Sequence, residues 1–149
     1  MNATILFLVV LYLFSTNADP GKSNTIEVRE WENNLIKDEL SCINSTGVSL
    51  NVIERTKVTL ELPEDDPKYK EYLKCFYTKR GYQNDSGEVL YDNIKIMIHQ
   101  FTNATEATRI IDLCKETKGT TPEENAFVAQ KCLLNLFHPK TEEEEKTQE

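Results

Sequence analysis

The four cysteines limit what this chain can fold into more than any other feature of its sequence. They are Cys42, Cys75, Cys114 and Cys132. No two of them have the C-x2–4-C spacing of a zinc knuckle, and the two histidines, His99 and His138, stand apart, so the sequence argues against a metal site. An even number of cysteines in an exported chain predicts a disulfide framework instead. Two bonds are expected, and the residues alone leave three pairings open.

The start of the chain has the pattern of a secretory signal peptide. Residues 5–14 form an uncharged apolar run that is too short to cross a bilayer, and residues 15–18 end in small side chains where a signal peptidase would cut. We therefore expect residues 1–18 to be removed and the mature protein to be secreted and extracellular, without insertion into a membrane. Residues 19–139 are then long enough for a single domain and too few for two.

The charge of the chain excludes two classes of partner. Its net charge of -8 argues against nucleic acid and against anionic membrane surfaces, because both bind basic patches. Part of the excess lies at the C-terminus, where residues 141–149 contain five acids, one lysine and no apolar residue. We expect residues 140–149 to be a disordered acidic tail.

Six segments carry the apolar periodicity of helices, and no pair of segments predicts a sheet. In the first, Asn24 and Glu27 form a capping box, and the apolar side ends near the first cysteine. That side comprises Val28, Trp31, Leu35, Ile36 and Leu40. Residues 44–47 break the helix, and Ser49 can cap a short second one. The alternating stretch 58–62 has the pattern of a strand, but nothing nearby can pair with it, so we expect an extended connection.

The third helix has the clearest apolar face. Asp66 and Pro67 place an acid at the cap and a proline at the first helical position, which favours a helix start. Its broad aromatic face consists of Tyr69, Tyr72, Leu73, Phe76 and Tyr77. Gly81 is where such a helix would end, because glycine adopts the left-handed closing conformation without a steric penalty. Since the helix also carries Cys75, we expect it at the centre of the domain.

The last three helices follow a turn at residues 84–87. The apolar residues of the fourth helix repeat at helical spacing and are Leu90, Ile94, Met97, Ile98 and Phe101. Asn103 and Glu106 form a second capping box, which starts the fifth helix. The sixth begins with a cap and an N1 proline at Thr121 and Pro122, and it is apolar on most sides, which indicates a buried helix.

The cysteine spacing and two glycines point to a known family. Successive cysteines are separated by 32, 38 and 17 residues, and Gly81 and Gly87 follow Cys75 in a C-x5-G-x5-G arrangement. The chain thereby resembles the insect odorant-binding proteins of the pheromone-binding and general-odorant-binding superfamily, from about residue 26 to residue 138. Six-cysteine members of that family have cysteines where this chain has Glu71 and Glu123. The chain therefore looks like a four-cysteine, or minus-C, member.

The resemblance implies an all-α fold of six short helices around an apolar cavity, stapled by two disulfides. The family pairing becomes Cys42–Cys75 and Cys114–Cys132, with no free thiol. The implied function is that of a carrier of small hydrophobic molecules, such as odorants or pheromones, without a cofactor. The expected ligand-binding residues, each of which also suits an ordinary core, are Leu73, Phe76, Leu90, Ile94, Met97, Ile110, Phe127, Ala129, Leu133 and Phe137.

Other functions were tested against the same residues. Enzyme motifs such as G-x-S-x-G, H-E-x-x-H and a phosphate loop do not occur. The stronger alternative is a secreted, glycosylated effector or signalling protein that acts through its surface. Three sequons, at Asn44, Asn84 and Asn103, favour it, with the first two in predicted loops and the third suited to a helix cap. Under either function, the protein partner can be a membrane receptor or a second copy of the chain.

Two glutamates occupy the positions of the absent disulfide. If the family fold holds, Glu71 and Glu123 have Cα atoms about 5.5 Å apart, the usual disulfide span. Two carboxylates at that distance repel when both are charged, although Lys74 lies near Glu71 on the same helix face and can relieve the repulsion. The plainer interpretation is that both side chains point into water. The sharper hypothesis is a gate for ligand entry that loosens near neutral pH and tightens on protonation.

Overall fold

The structure, a computed structural model, describes residues 25–137 and contains six helices. They are α1 (Thr25–Thr46), α2 (Leu50–Thr59), α3 (Pro67–Lys79), α4 (Tyr91–His99), α5 (Ala104–Cys114) and α6 (Pro122–Phe137). Within residues 25–137 there is no strand beyond an isolated bridge between Gln83 and Val89, so the all-α prediction is confirmed. The predicted signal peptide, the Asn24 cap, His138 and the acidic tail lie outside the described residues.

None of the helices in the described part of the chain is both long and apolar enough to span a bilayer.

Helix α1 runs further than its sequence indicated and turns a different side inward. It continues through Thr46 and ends at Gly47, which has a φ of 68°. Leu35 and Cys42 are buried, whereas Ile36 and Leu40 are about half exposed. The side of α1 that faces inward includes Glu39, which lies between those two buried residues in sequence. A polar residue therefore faces the interior where the apolar pattern predicted Ile36 and Leu40. The predicted apolar side was therefore wrong at Ile36 and Leu40.

Helix α2 includes the first two residues of the stretch 58–62, which was expected to be an extended connection. Val58 and Thr59 belong to the helix, and Leu60 closes it in the left-handed conformation with a φ of 59°. The Leu60 N–H donates to the Thr56 carbonyl at 2.8 Å, which gives one of the last carbonyls of the helix a partner. The non-helical connection therefore begins only at Leu60, because tertiary contacts and the helical hydrogen bonds outweigh the local alternation.

Helix α3 begins and ends as its sequence predicts and lies at the centre of the fold. The Tyr69 N–H donates to Asp66 Oδ1 at 3.1 Å, and Pro67 is the first helical residue. After Lys79 the chain turns through Gly81, whose φ is 71°. This helix packs against both α1 and α6, and its residues Tyr69 and Tyr77 are almost wholly buried. Since α5 packs on α4 and α6, the six helices form one continuous core.

The two disulfides join neighbouring helices in the pairing that the family resemblance implied. Cys42–Cys75 links α1 to α3 with a Cα–Cα distance of 5.7 Å, and Cys114–Cys132 links α5 to α6 at 5.6 Å. There is no free cysteine. Because the loops closed by these bonds contain tens of residues, each bond removes much of the freedom of the unfolded chain.

The loop between α3 and α4 is anchored to the start of α6. Gln83 is buried, and its Nε2 donates to the carbonyls of Gly87 and Pro122, both at 2.8 Å. Asn125 Nδ2 donates to the same Gly87 carbonyl at 2.9 Å. Gly87 has a φ of 84°, and an added Cβ would lie 2.6 Å from Pro122 Cβ. This close approach, together with the backbone conformation, requires glycine at the second position of the C-x5-G-x5-G segment.

The two glutamates at the positions of the absent disulfide border one surface cleft between α3 and α6. Lys74, however, pairs with Glu123 at 2.8 Å, while Glu71 pairs with Lys68 at 3.0 Å on its own helix. The hydrogen bond from the Lys74 ammonium holds the pKa of the Glu123 carboxyl below its usual range. The link between the helices is thus present when Glu123 is charged and is lost on protonation. This ion pair opposes the tightening on protonation that the gate hypothesis expects, and the gate for ligand entry stays a hypothesis.

We predict that the double variant Cys42→Ala/Cys75→Ala lowers the free energy of unfolding by about 3 kcal/mol, because the unfolded chain regains the entropy that the cross-link removes. Alanine is chosen since Cys42 is fully buried. Urea denaturation measures the change, and Cys114→Ala/Cys132→Ala is the matched comparison, with a similar expected loss. A loss well below 1 kcal/mol in either variant, or a Cys75–Cys132 bond in non-reducing peptide maps, would contradict the account.

A second prediction concerns Glu123→Gln, which removes the ion pair between α3 and α6. It should lower the free energy of unfolding at pH 7 by up to about 1 kcal/mol, the usual range for partly exposed pairs. Because the pKa of Glu123 is lowered in the folded state, the difference from wild type should be fully present above pH 4.5 and shrink as the pH falls further. Denaturation curves across pH 2–8 measure it.

The matched control is Glu71→Gln, which removes a pair within one helix and should change stability less. If both substitutions instead stabilise the protein at pH 7, repulsion between the carboxylates dominates and the ion-pair account fails.

Candidate functional site

An apolar cavity of about 180 Å³ lies between α1, α2, α3, α4 and α6. Its walls are mainly aliphatic and aromatic side chains, with a few polar groups. The lining residues are Leu35, Glu39, Ile53, Thr56, Lys57, Tyr69, Tyr72, Leu73, Phe76, Tyr77, Arg80, Tyr82, Ile94, Met97, Ile98, Phe101, Gln130, Leu133, Leu134 and Phe137. A space of this kind, apolar and enclosed by helices, is the usual form of a site for small hydrophobic molecules.

The aromatic face of α3 forms one wall of this cavity. All five of its predicted members line the space: Tyr69, Tyr72, Leu73, Phe76 and Tyr77. Neighbouring rings on this wall are in contact, with centroids 5.8 Å apart for Tyr69 and Tyr72 and 6.1 Å apart for Tyr72 and Phe76. Such ring pairs stabilise the wall beyond the area they bury.

Helices α4 and α6 supply the opposite walls at helical spacing. Ile94, Met97 and Ile98 fall at i, i+3 and i+4 on α4, with Phe101 just beyond its end. On α6 the lining residues repeat in the same way and are Gln130, Leu133, Leu134 and Phe137. Each helix therefore presents a single stripe to the cavity, as a surface helix does to an ordinary core.

Two hydrogen-bonded tyrosines place polar groups in the wall. The Tyr77 hydroxyl donates to Gln130 Oε1 at 2.8 Å, joining α3 to α6. The Tyr72 hydroxyl donates to Glu39 Oε1 at 3.3 Å, and the same carboxylate forms an ion pair with Lys57. Burial raises the pKa of both phenols well above the ordinary value, so they remain neutral donors. Both hydroxyls therefore face acceptors of the protein.

Six of the ten residues predicted to contact a ligand line the cavity. They are Leu73, Phe76, Ile94, Met97, Leu133 and Phe137. Their presence in the wall agrees with the helical spacing from which they were selected, and contact with a ligand stays a prediction for each.

The other four lie elsewhere. Ile110 is buried on α5, a helix that contributes no residue to the wall of this cavity, and Ala129 is fully buried on another face of α6. Phe127 lies one turn before Gln130, where its ring packs beneath the Lys70 ammonium at 5.0 Å. Leu90 precedes α4 and its N–H donates to the Tyr82 carbonyl. Since α6 is apolar on most sides, its sequence could not tell the cavity stripe from the core.

Several lining residues were not predicted at all. Those on α1 and α2 are Leu35, Glu39, Ile53, Thr56 and Lys57. A polar stripe such as Glu39, Thr56 and Lys57 carries no hydrophobic signal, so only the tertiary arrangement places it at the cavity. Tyr82 and Arg80 follow α3, and extending its aromatic face by one turn would have included Arg80.

The three sequon asparagines lie in different settings. Asn44 is exposed but sits in the last turn of α1, so its predicted loop position was wrong. Asn84 accepts from the Ser86 hydroxyl and the Glu88 N–H inside a turn. Asn103 caps α5 by accepting from the Glu106 N–H at 2.9 Å. Use of any of them for glycosylation stays a prediction. Among residues 25–137 no cluster of three or more metal-binding side chains occurs.

Comparison with known proteins shows the family of the chain. Residues 28–135 match the PBP/GOBP family model. The chain belongs to the PBP/GOBP family. It is 37% identical over 94 residues to the B1 protein of Tenebrio molitor, which covers 62% of this chain and 70% of that protein. The B2 protein of the same beetle is 35% identical over 94 residues, with coverages of 62% and 71%.

A mosquito relative matches over a longer range. Odorant-binding protein 10 of Aedes aegypti is 23% identical over 133 residues, which is 88% of this chain and 89% of that protein. No solved structure was found to match. Within the PBP/GOBP family, the four cysteines and two disulfides of this chain fit the minus-C type. The family assignment supports a carrier of small molecules in general terms.

Proposed function

We propose that this protein is a secreted carrier that binds a small hydrophobic molecule, of the odorant or pheromone kind, in the cavity between its helices. The observation that supports this most is the apolar cavity beside the aromatic face of α3. Membership of the PBP/GOBP family and similarity to a protein named odorant-binding protein 10 support it as well. Secretion is supported by the N-terminal apolar run and by the two disulfides, which persist in oxidising compartments.

The physical basis of binding is the removal of apolar surface from water. An apolar cavity lined by aliphatic and aromatic groups holds water poorly, because water finds few hydrogen-bond partners there. A hydrophobic molecule fills the space, gains dispersion contacts with the wall and leaves its own hydration shell. The ligand needs no charge and no metal for this, and the protein needs no catalytic group.

Met97→Trp tests whether the cavity is the binding site. Met97 lines the cavity from α4, so the larger indole should occupy part of its volume and weaken binding of an apolar fluorescent probe by tenfold or more. The wild type should bind such a probe at micromolar strength, about -8 kcal/mol. Fluorescence titration measures both dissociation constants.

The matched control is Ile96→Trp, the same enlargement on the neighbouring residue. Ile96 is 64% exposed and does not line the cavity, so its replacement should leave probe binding unchanged. Equal effects of the two substitutions would place the probe outside the cavity. Failure of the wild type to bind any member of a broad panel of apolar molecules would favour the surface-acting effector instead.

A further inference from the structure

One buried hydroxyl in the cavity wall lacks the partner that comparable residues have. Thr56 is 4% exposed, and its Oγ1 is closed off from solvent without a hydrogen-bond partner among the described residues. Three other helical threonines, Thr46, Thr59 and Thr108, each donate to the carbonyl four residues earlier at 2.7, 3.0 and 2.8 Å. Thr56 does not form this bond. A buried hydroxyl left unpaired is destabilising, so the position is one where a partner would stabilise the protein.

Tyr69 lies beside Thr56 and repeats the pattern. The phenols of Tyr72 and Tyr77 donate to Glu39 and Gln130, whereas the Tyr69 phenol donates to no carbonyl or carboxylate of residues 25–137. Burial raises the pKa of Tyr69 far above its ordinary value, and the nearby Thr56 hydroxyl offsets only part of this rise. The two hydroxyls thus lie within reach of each other, although Thr56 Oγ1 makes no hydrogen bond of normal geometry. Both residues line the cavity.

The charges nearby indicate what kind of group this pair can accept. The carboxylate of Glu39 raises the pKa of Tyr69, so its negative field reaches the phenol, and Lys57 forms an ion pair with that carboxylate. An anionic group beside Tyr69 would meet this field and lose its hydration, and the two cations of the wall, Lys57 and Arg80, are already paired with Glu39 and Asp38. A neutral oxygen has neither cost: a carbonyl can accept from both hydroxyls, and an alcohol can accept from one hydroxyl while it donates to the other.

We propose that Thr56 and Tyr69 form a polar subsite that selects a small neutral ligand with one hydrogen-bonding oxygen, an alcohol or a carbonyl compound, over a pure hydrocarbon of the same shape. This inference rests on the carrier function proposed above and names its ligand class. The apolar remainder of the molecule lies against Leu73, Phe76 and Met97, and its oxygen lies at the hydroxyl pair.

The size of the cavity narrows the class further. An engineered cavity of about 150 Å³ in another protein binds benzene. The space here is about 180 Å³, so without expansion it takes a molecule about the size of benzene with a two-atom substituent.

The test uses two probes of nearly equal shape, benzyl alcohol and ethylbenzene. Their dissociation constants are measured by displacement of a fluorescent probe from the full-length secreted protein, from Thr56→Val and from Tyr69→Phe. Each substitution removes one hydroxyl and keeps the shape of the side chain. The ratio of the two dissociation constants should shift against benzyl alcohol by about fivefold in each variant, the effect of one neutral hydrogen bond. Thr108→Val, the same change at a paired and distant threonine, should leave the ratio unchanged.

The outcomes separate the two proposals. A structural role for Thr56 alone would lower thermal stability in Thr56→Val and leave the ratio untouched, whereas the subsite predicts a changed ratio with stability kept or raised. If both probes bind and the ratio is the same in wild type, Thr56→Val and Tyr69→Phe, the subsite is overturned and the carrier function stands. If neither probe nor any other apolar molecule binds the wild type, the carrier function fails and the subsite fails with it.

Discussion

The cavity depends on the links that fix α3 to its two neighbouring helices, α1 and α6. On one side the Cys42–Cys75 bond fixes it to α1, and on the other Lys74 and Tyr77 join it to α6. An empty apolar space of about 180 Å³ costs roughly 4 kcal/mol by the relation between cavity volume and lost stability. Each of the two disulfides contributes about 3 kcal/mol, so together they offset this cost. The cross-links thus allow the chain to keep a void that side-chain packing alone would tend to close.

Those parts of the fold that local chemistry decides were predictable from the sequence. An acid before Pro67 starts α3, Gly81 ends it, and one face of the helix carries all its large apolar residues. A helix with a single face can turn inward in only one way, so its five wall residues followed directly. The same holds for α4, where Ile94 and Met97 were found by spacing.

Other parts of the fold are decided by contacts between helices, and these contacts could not be predicted from the sequence. Helix α6 is apolar on most sides, so the pattern did not distinguish Gln130, which lines the cavity, from Phe127, which packs under Lys70. Helix α1 turns Glu39 inward and leaves Leu40 exposed, because the carboxylate has Tyr72 and Lys57 as partners in the folded state. The unpaired hydroxyl of Thr56 has no local signature at all, since any threonine in a helix has a carbonyl within reach.

The junction between α3 and α6 has a consequence that a covalent bond would not have. Where six-cysteine members of the family have a disulfide, this chain has an ion pair whose side chains, Lys74 and Glu123, are 42% and 29% exposed. Dissolved ions screen such a pair, and at physiological ionic strength the screening length is about 8 Å. The contact between α3 and α6 is therefore weaker at this edge in a salty fluid than in a dilute one, whereas a disulfide there would be insensitive to salt.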